Sequence, residues 1–153
     1  MIIRLATFDD VDEICSMYRD FFAFNANMQP TYYNKAECGD YPLNTMKSET
    51  ADIIIAQQGE TVVGFLHVSE NKTSPYDCVE QYKFATCVDL YVNPIYREQG
   101  VATALLTAAK DWAKKRGLAY MELNVLAENE NAMRLYEREG FGAVSHFMRC
   151  ELQ

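Results

Sequence analysis

The sequence has no apolar run approaching the ~18 residues of a membrane span, and no membrane partner is expected. Its start, Met1-Ile2-Ile3-Arg4-Leu5, lacks a signal peptide's basic opening and small-residue cleavage site and reads as a strand, so a cytoplasmic location is expected. Repeats, low-complexity runs and linkers are absent, and the 153 residues are expected to form one domain, 1–153. The five cysteines (15, 38, 78, 87 and 150) are odd in number, and no pair has C-x-x-C spacing. That argues against a disulfide framework or a zinc site, so no metal is expected. A thiolate nucleophile needs a base or cation beside it, and even Cys87, near Asp89, is read as a buried, inert thiol like the other four. Disorder is excluded by a hydrophobic fraction of 49%. Basic residues are scarce at first: residues 1–95 hold six Lys and Arg against fourteen Asp and Glu. Residues 96–153 hold eight of each sign, so the whole net charge of −8 lies in the first part. Nucleic acid is therefore an unfavourable partner and a cationic one is favoured, with a merely soluble acidic surface as the plainer alternative.

What is present centres on residues 88–107. Val88, Leu90 and Val92 alternate with Asp89, Tyr91 and Asn93, which predicts a strand with Val88, Leu90 and Val92 on one face. Pro94 ends its ladder, having no N–H to donate. Then Arg97-Glu98-Gln99-Gly100-Val101-Ala102 fits R-x-x-G-x-A and opens a long helical pattern. Gly100 lets a ligand approach the backbone. The amides that follow lack acceptors within the helix and sit at its positive dipole end, where a pyrophosphate is the natural guest. Gly100 is followed by Val101 rather than Lys, so this is not a nucleotide P-loop, and the three glycines of the dinucleotide fingerprint are missing.

A second block, Asn129-Glu130-Asn131-Ala132-Met133-Arg134-Leu135-Tyr136-Glu137-Arg138-Glu139-Gly140-Phe141, follows downstream. The two blocks resemble the acetyl-CoA loop and the N-x-x-A-x-x-L-Y-E-x-x-G-F segment of the GNAT superfamily of N-acetyltransferases. The resemblance covers roughly the last 70 residues, and residues 1–60 match only in general layout. It implies an α/β (mixed α+β) fold with a central mixed, mostly antiparallel sheet of six to seven strands. Helices cover both faces, and a splayed strand pair holds CoA.

Along the chain, Ile3 and Leu5 mark a strand and Thr7 a helix cap. Val11, Ile14, Cys15, Tyr18, Phe21 and Phe22 follow at helical spacing. Residues 22–50 read as irregular and aromatic, the kind of long segment that is often functional, with at most a short helix near 43–48. Residues 53–56 and 61–68 make a hairpin about Gln58-Gly59-Glu60, and 84–92 is the next strand. A helix over 100–116 is capped by Gly117, a strand covers 120–126, a short helix 129–139, and one or two strands 141–152.

The resemblance implies acetyl-CoA as co-substrate, bound by Leu90, Tyr91, Val92, Arg97, Glu98, Gln99, Gly100, Val101, Ala102, Thr103, Asn129, Ala132 and Tyr136. It places Tyr136 at the CoA sulfur as general acid. Amine acetylation also needs a neutral amine, and Asp89 is the first candidate base, with Glu122 the runner-up. His67 and His146 are read as structural. The acceptor is expected to be a small-molecule or peptide amine, with a polyamine, an aminoglycoside-like amine or a peptide amine equally open. Residues 22–50, with Glu37, Asp40 and Glu49, are expected to line its mouth. The expected reaction is direct attack of the amine on the thioester through a tetrahedral intermediate. The alternatives are a non-catalytic acyl-CoA sensor or interaction module on the same fold, and a phosphate-binding protein of another fold. Monomer and homodimer are both open.

Overall fold

The structure is a computed structural model, and it describes residues 1–152. The strands are β1 (Ile2–Leu5), β2 (Ala51–Gln58), β3 (Thr61–Lys72), β4 (Lys83–Val92) and β5 (Met121–Leu123), and the helices are α1 (Val11–Met28), α2 (Tyr41–Met46), α3 (Val101–Lys115) and α4 (Glu130–Arg138). The five strands form one sheet in chain order, antiparallel from β1 to β4 and parallel between β4 and β5. The α/β class and the mostly antiparallel sheet are as expected.

β2 is apolar on both sides because both of its faces are covered. Ile54 and Ala56 join Leu66, Val68, Leu105, Leu106 and Ala109 in a core under α3. Ile53 and Ile55 join Ile14, Tyr18, Phe65 and Tyr91 in a second core under α1. Two helices of opposite placement thus sandwich one sheet, the arrangement by which a two-faced hydrophobic strand escapes water.

Four expectations are corrected. The sheet has five strands rather than six or seven, because β5 stops at Leu123 and residues 141–152 join no strand of the sheet. A segment with no neighbouring strand has no ladder to join. Second, α1 continues to Met28, since Phe24 and Met28 extend the apolar helical stripe of Phe21 past Phe22. Third, Val88 does not share the Leu90–Val92 face. The β3–β4 register shifts there, pairing Val68 with Cys87 and His67 with Asp89, so Val88 is an extra residue pushed out into solvent. Fourth, only Cys87 of the five thiols is buried, and Cys78 and Cys150 are exposed. Burial does push Cys87 up to about 12, which keeps it a thiol.

The N-terminal strand is tied to α1 by one carboxylate. Arg4 donates to both oxygens of Asp10 at 2.8 Å, and the Thr7 amide donates to Oδ2 at 2.7 Å. The Arg4 hydrogen bond, ahead of the Thr7 contacts, holds the Asp10 carboxyl down at about 2. A carboxyl depressed in the folded state adds stability above its unfolded value near 4 and loses it as pH falls toward 2. Arg4 is partly exposed, so the effect is discounted for screening. Asp10→Asn is expected to cost about 1–2 kcal/mol at pH 7, with the gap to the parent closing between pH 4 and 2 in urea titrations. A gap independent of pH would mean that the clip acts through packing alone.

Candidate active site

Parallel pairing between β4 and β5 covers only Ala85–Met121, Thr86–Glu122 and Cys87–Leu123. Beyond Cys87 the strands part, and the last residues of β4 line a cavity of about 810 Å³ between α1, α3 and α4. That volume lies within the range of small-molecule and cofactor sites. The β4-side backbone of Leu90, Tyr91 and Val92 borders this opening, where the β5 ladder has ended.

The cavity floor is built at the entrance to α3. Asn93 caps the short turn Pro94–Tyr96 by accepting from the Ile95 amide at 3.3 Å. The turn aims Arg97 back, and its Nε donates to the Val92 carbonyl at 2.9 Å while its guanidinium stacks on Phe24 and Tyr91. Glu98 at φ 60° and Gly100 at φ 79° both adopt the left-handed region. Gly100 is the N-cap, and the first helical bond is Ala104 N–H to Gly100 O at 3.0 Å. The amides of Val101, Ala102 and Thr103 are therefore without helical acceptors at the cavity floor, an anion cradle by geometry and dipole. A Cβ on Gly100 would meet nothing within 4 Å, so the glycine serves the backbone angle and access.

α4 forms the opposite wall. Asn129 caps it, accepting from the Ala132 amide at 3.2 Å. Ala132, Leu135 and Tyr136 face the cavity, with Arg134 and Arg138 at its rim. Tyr136 packs edge-on against Phe141, with ring centres 5.9 Å apart. Burial raises its phenol, with the neighbouring Cys87 adding to the effect, so it stays protonated. Its hydroxyl makes no hydrogen bond among the described residues, and its side chain lines the cavity.

A polar cluster stands on the other face of β4. The Val88 bulge turns Asp89 to the α1 side. Tyr18 donates to Asp89 Oδ2 at 2.9 Å. The Tyr41 hydroxyl is shared between Asp89 Oδ2 at 3.3 Å and His67 Nδ1 at 2.9 Å. His67 Nδ1 lies 3.6 Å from the carboxylate, and both side chains are largely buried. Burial first, and Asp89 second, raise both Tyr18 and Tyr41, which therefore remain donors.

Of the residues expected to hold CoA, all but Gln99 line the cavity, Gln99 instead donating to the Ile95 carbonyl at 3.1 Å. Asp89 is contacted from α1, α2 and β3 by Tyr18, Tyr41 and His67 and does not line the cavity. Glu122 is exposed opposite Thr86 and lies outside the cavity lining. His67 belongs to the Asp89 cluster, and His146 lies in the unpaired stretch 141–152. The three acids expected at an acceptor mouth separate. Glu37 is paired with Arg19 at 2.9 Å, the Glu49 carbonyl accepts from Arg116 at the far end of α3, and only Asp40, at the start of α2, adjoins the Asp89 cluster. Phe24 and Met28, within the segment 22–50 expected at the acceptor mouth, do line the cavity, whereas Tyr96, Arg134 and Arg138 were not singled out in the sequence. Their signal was there: Phe24 and Met28 continue the α1 stripe, and Arg134 and Arg138 sit four apart on α4. Among the described residues, no three His, Cys, Asp or Glu gather to hold a metal, and no helix is long and apolar enough to cross a membrane.

The model of the Acetyltransferase (GNAT) family matches residues 11–141. An uncharacterized N-acetyltransferase of Methanocaldococcus jannaschii is 31% identical over 140 residues, 91% of this chain and 59% of the relative. The [ribosomal protein bS18]-alanine N-acetyltransferase of Escherichia coli strain K12 is 34% identical over 87 residues, 56% of this chain and 59% of the relative. The chain thus spans under two thirds of the length of either relative. In fold, it matches the crystal structure of a mutant of a Bacillus halodurans protein at TM-score 0.94 and 19% identity, with both chains fully covered. It also matches an aminoglycoside N-acetyltransferase in complex with CoA at TM-score 0.76 and 14% identity, covering 99% of each chain.

Proposed function

This chain belongs to the GNAT family of acetyl-CoA-dependent acyltransferases, and from that premise we propose that it is an N-acetyltransferase acting on a cationic primary amine. One observation carries the reading. The gap between β4 and β5, the uncapped start of α3 and the side chain of Tyr136 border one cavity. The donor set fits acetyl-CoA: amides 101–103 for the pyrophosphate, the β4 end for the pantetheine amides, Tyr136 for the sulfur. The cavity's guanidiniums, on Arg97, Arg134 and Arg138, suit its phosphates.

In the proposed reaction the amine nitrogen bonds to the thioester carbonyl carbon and the carbon–sulfur bond breaks. An ammonium must first lose a proton, and Asp89, which stands outside the cavity lining, is assigned to take it through water, with Tyr41 and His67 as its neighbours for passing it on. Asp89 is preferred to Glu122 because it is held by three side chains, while Glu122 is exposed. As the carbon–nitrogen bond forms the nitrogen gives up its second proton to water; Tyr136 is assigned to donate its own proton to the departing sulfur, and the proton released to water restores the phenol. The Escherichia coli relative and the aminoglycoside enzyme are both named for acetylation at nitrogen, which supports the class of reaction and leaves the acceptor to experiment.

Gly100→Asp is expected to weaken acetyl-CoA binding more than tenfold, above ~1.4 kcal/mol, by calorimetry. Gly100→Asn keeps the side-chain size and the tolerance of left-handed backbone without the charge, and should bind better than the Asp variant. Equal affinity in Gly100→Asp and the parent would remove the phosphate from this loop. Tyr136→Phe is expected to lower kcat roughly a hundredfold with acetyl-CoA KM little changed. A kcat within twofold would make Tyr136 a packing residue and leave the sulfur to depart unaided. For the acceptor, a panel of polyamines, aminoglycosides, peptide amines and acidic amines should favour the cationic ones, with kcat/KM falling as salt rises. Asp40→Lys should raise acceptor KM and leave acetyl-CoA KM alone. Turnover confined to neutral or acidic amines would refute the cationic assignment, and acetyl-CoA binding without transfer to any amine would favour a sensor.

A further inference from the structure

Tyr136 stands near the C-terminal end of α4, so its place depends on how that end is held. α4 has nine residues, and none of them is buried. A helix this short is marginal on its own and takes its position from what it is tied to. Leu135, Tyr136 and Phe141 pack against the core under α3. Such apolar packing is non-directional and by itself leaves a short helix free to slide or turn.

The end of α4 is a Schellman turn. Gly140, at φ 89°, donates its N–H to the Glu137 carbonyl at 3.1 Å, and the Phe141 N–H donates to the Tyr136 carbonyl at 2.9 Å. A turn of this kind is closed by an apolar contact between the residue that follows the glycine and the third residue from the helix end. Here those residues are Phe141 and Tyr136, whose rings meet edge-on at 5.9 Å. The turn gives the Glu139 carbonyl no partner of its own, and Lys110 of α3 takes that place. Its Nζ donates to the Glu139 carbonyl at 2.7 Å and to Glu139 Oε2 at 3.1 Å, and it lies 5.7 Å from the centre of the Phe141 ring. A cation there also meets the negative end of the helix dipole.

Among the described residues, this is the sole side-chain hydrogen bond or ion pair between residues 129–141 and the rest of the chain. The Lys110 and Glu139 side chains are 31% and 15% exposed, so solvent screens the contact less than it screens a surface pair. Lys110 follows Val101 by nine residues on the same helix. α3 thus carries the anion cradle at its start and the clamp on α4 about 14 Å further along.

We propose that Lys110 is a positioning residue for Tyr136. By gripping Glu139 and Phe141 it fixes the phenol relative to the cradle on α3, and so relative to the thioester sulfur. Lys110 touches neither substrate nor reacting atoms and transfers no proton. Its effect on rate rests on the reading of Tyr136 as general acid.

The test compares Lys110→Met, which keeps the stem and removes the three donors, with Lys110→Arg, which keeps charge and donors. Each is made with Tyr136 intact and with Tyr136→Phe. Two quantities are read: steady-state kinetics with acetyl-CoA and spermidine, and the fluorine NMR resonance of Tyr136 in fluorotyrosine-labelled protein, assigned by its loss in Tyr136→Phe. Lys110→Met is expected to lower kcat roughly tenfold with acetyl-CoA KM little changed, and to move or broaden the Tyr136 resonance. Lys110→Arg should restore most of both. In the Tyr136→Phe background, Lys110→Met should cost little further, because residues that act as a unit are not additive. An unmoved resonance in Lys110→Met overturns the proposal. So does an equal loss of kcat in both backgrounds, or a parental kcat in Lys110→Met where Tyr136→Phe is slow. If Tyr136→Phe turns over at the parental rate, the acid reading falls. In that case, or with no turnover of the amine, the resonance alone decides whether Lys110 places the phenol.

Discussion

Parallel pairing of β4 with β5 ends at Cys87–Leu123, and the candidate site depends on that ending. A strand within a sheet spends its amides and carbonyls on its neighbours. Because β5 is so short, β4 reaches the cavity with backbone groups that the sheet has not consumed. The same shortness lets α4 close the gap from the far side, so Tyr136 faces the cavity across from Leu90 and Val92.

The bulge at Val88 supplies the second condition. Without it, Cys87, Asp89 and Tyr91 would share one face. With it, Cys87 joins the apolar core under α3 while Asp89 and Tyr91 turn to α1. The carboxylate is thereby placed among hydroxyls instead of aliphatic side chains. Close backbone approach on β3 keeps the arrangement tight. A Cβ on Gly64 would stand 2.9 Å from the Tyr91 carbonyl and 3.4 Å from Val101, so only glycine lets β3, the end of β4 and the start of α3 meet there.

The parts of this site that were legible in sequence are those whose chemistry is local. Arg97 to Thr103 and Asn129 to Tyr136 each write a loop or cap followed by a helix, and the proposed ligand contacts follow from helix-end geometry. The Val88 bulge was not legible, because register is set by β3, some twenty residues away, and the alternation of Val88, Leu90 and Val92 reads equally well without it. The link from His67 to Asp89 was hidden for the same reason. The length of α1 was obscured by Asn25 and Asn27, polar residues between Phe24 and Met28 that sit off the buried stripe. The pattern of residues 141–152 does describe a strand, but a strand needs a neighbour that a linear reading does not supply.

Charge gives the site its last constraint. Elsewhere the partly buried acids have cations: Asp10 has Arg4, Glu70 has Lys83 and Arg116, Asp52 has Arg116, and Glu139 has Lys110. Of the acid excess of residues 1–95, Asp52 and Glu70 are met by Arg116, and Asp20 stands beside Tyr91 and Arg97. Asp89 differs. Its side chain is 16% exposed, and its partners are two phenols and a histidine, with no lysine or arginine among the described residues. Hydroxyl donors solvate an anion without cancelling its charge, so the desolvation cost is only partly met. The field of such a carboxylate favours an ammonium group and opposes an acidic acceptor, independent of how the surface acids are distributed. The proposed preference for a cationic amine therefore rests on one partly buried carboxylate with no lysine or arginine beside it more than on the net charge of the chain.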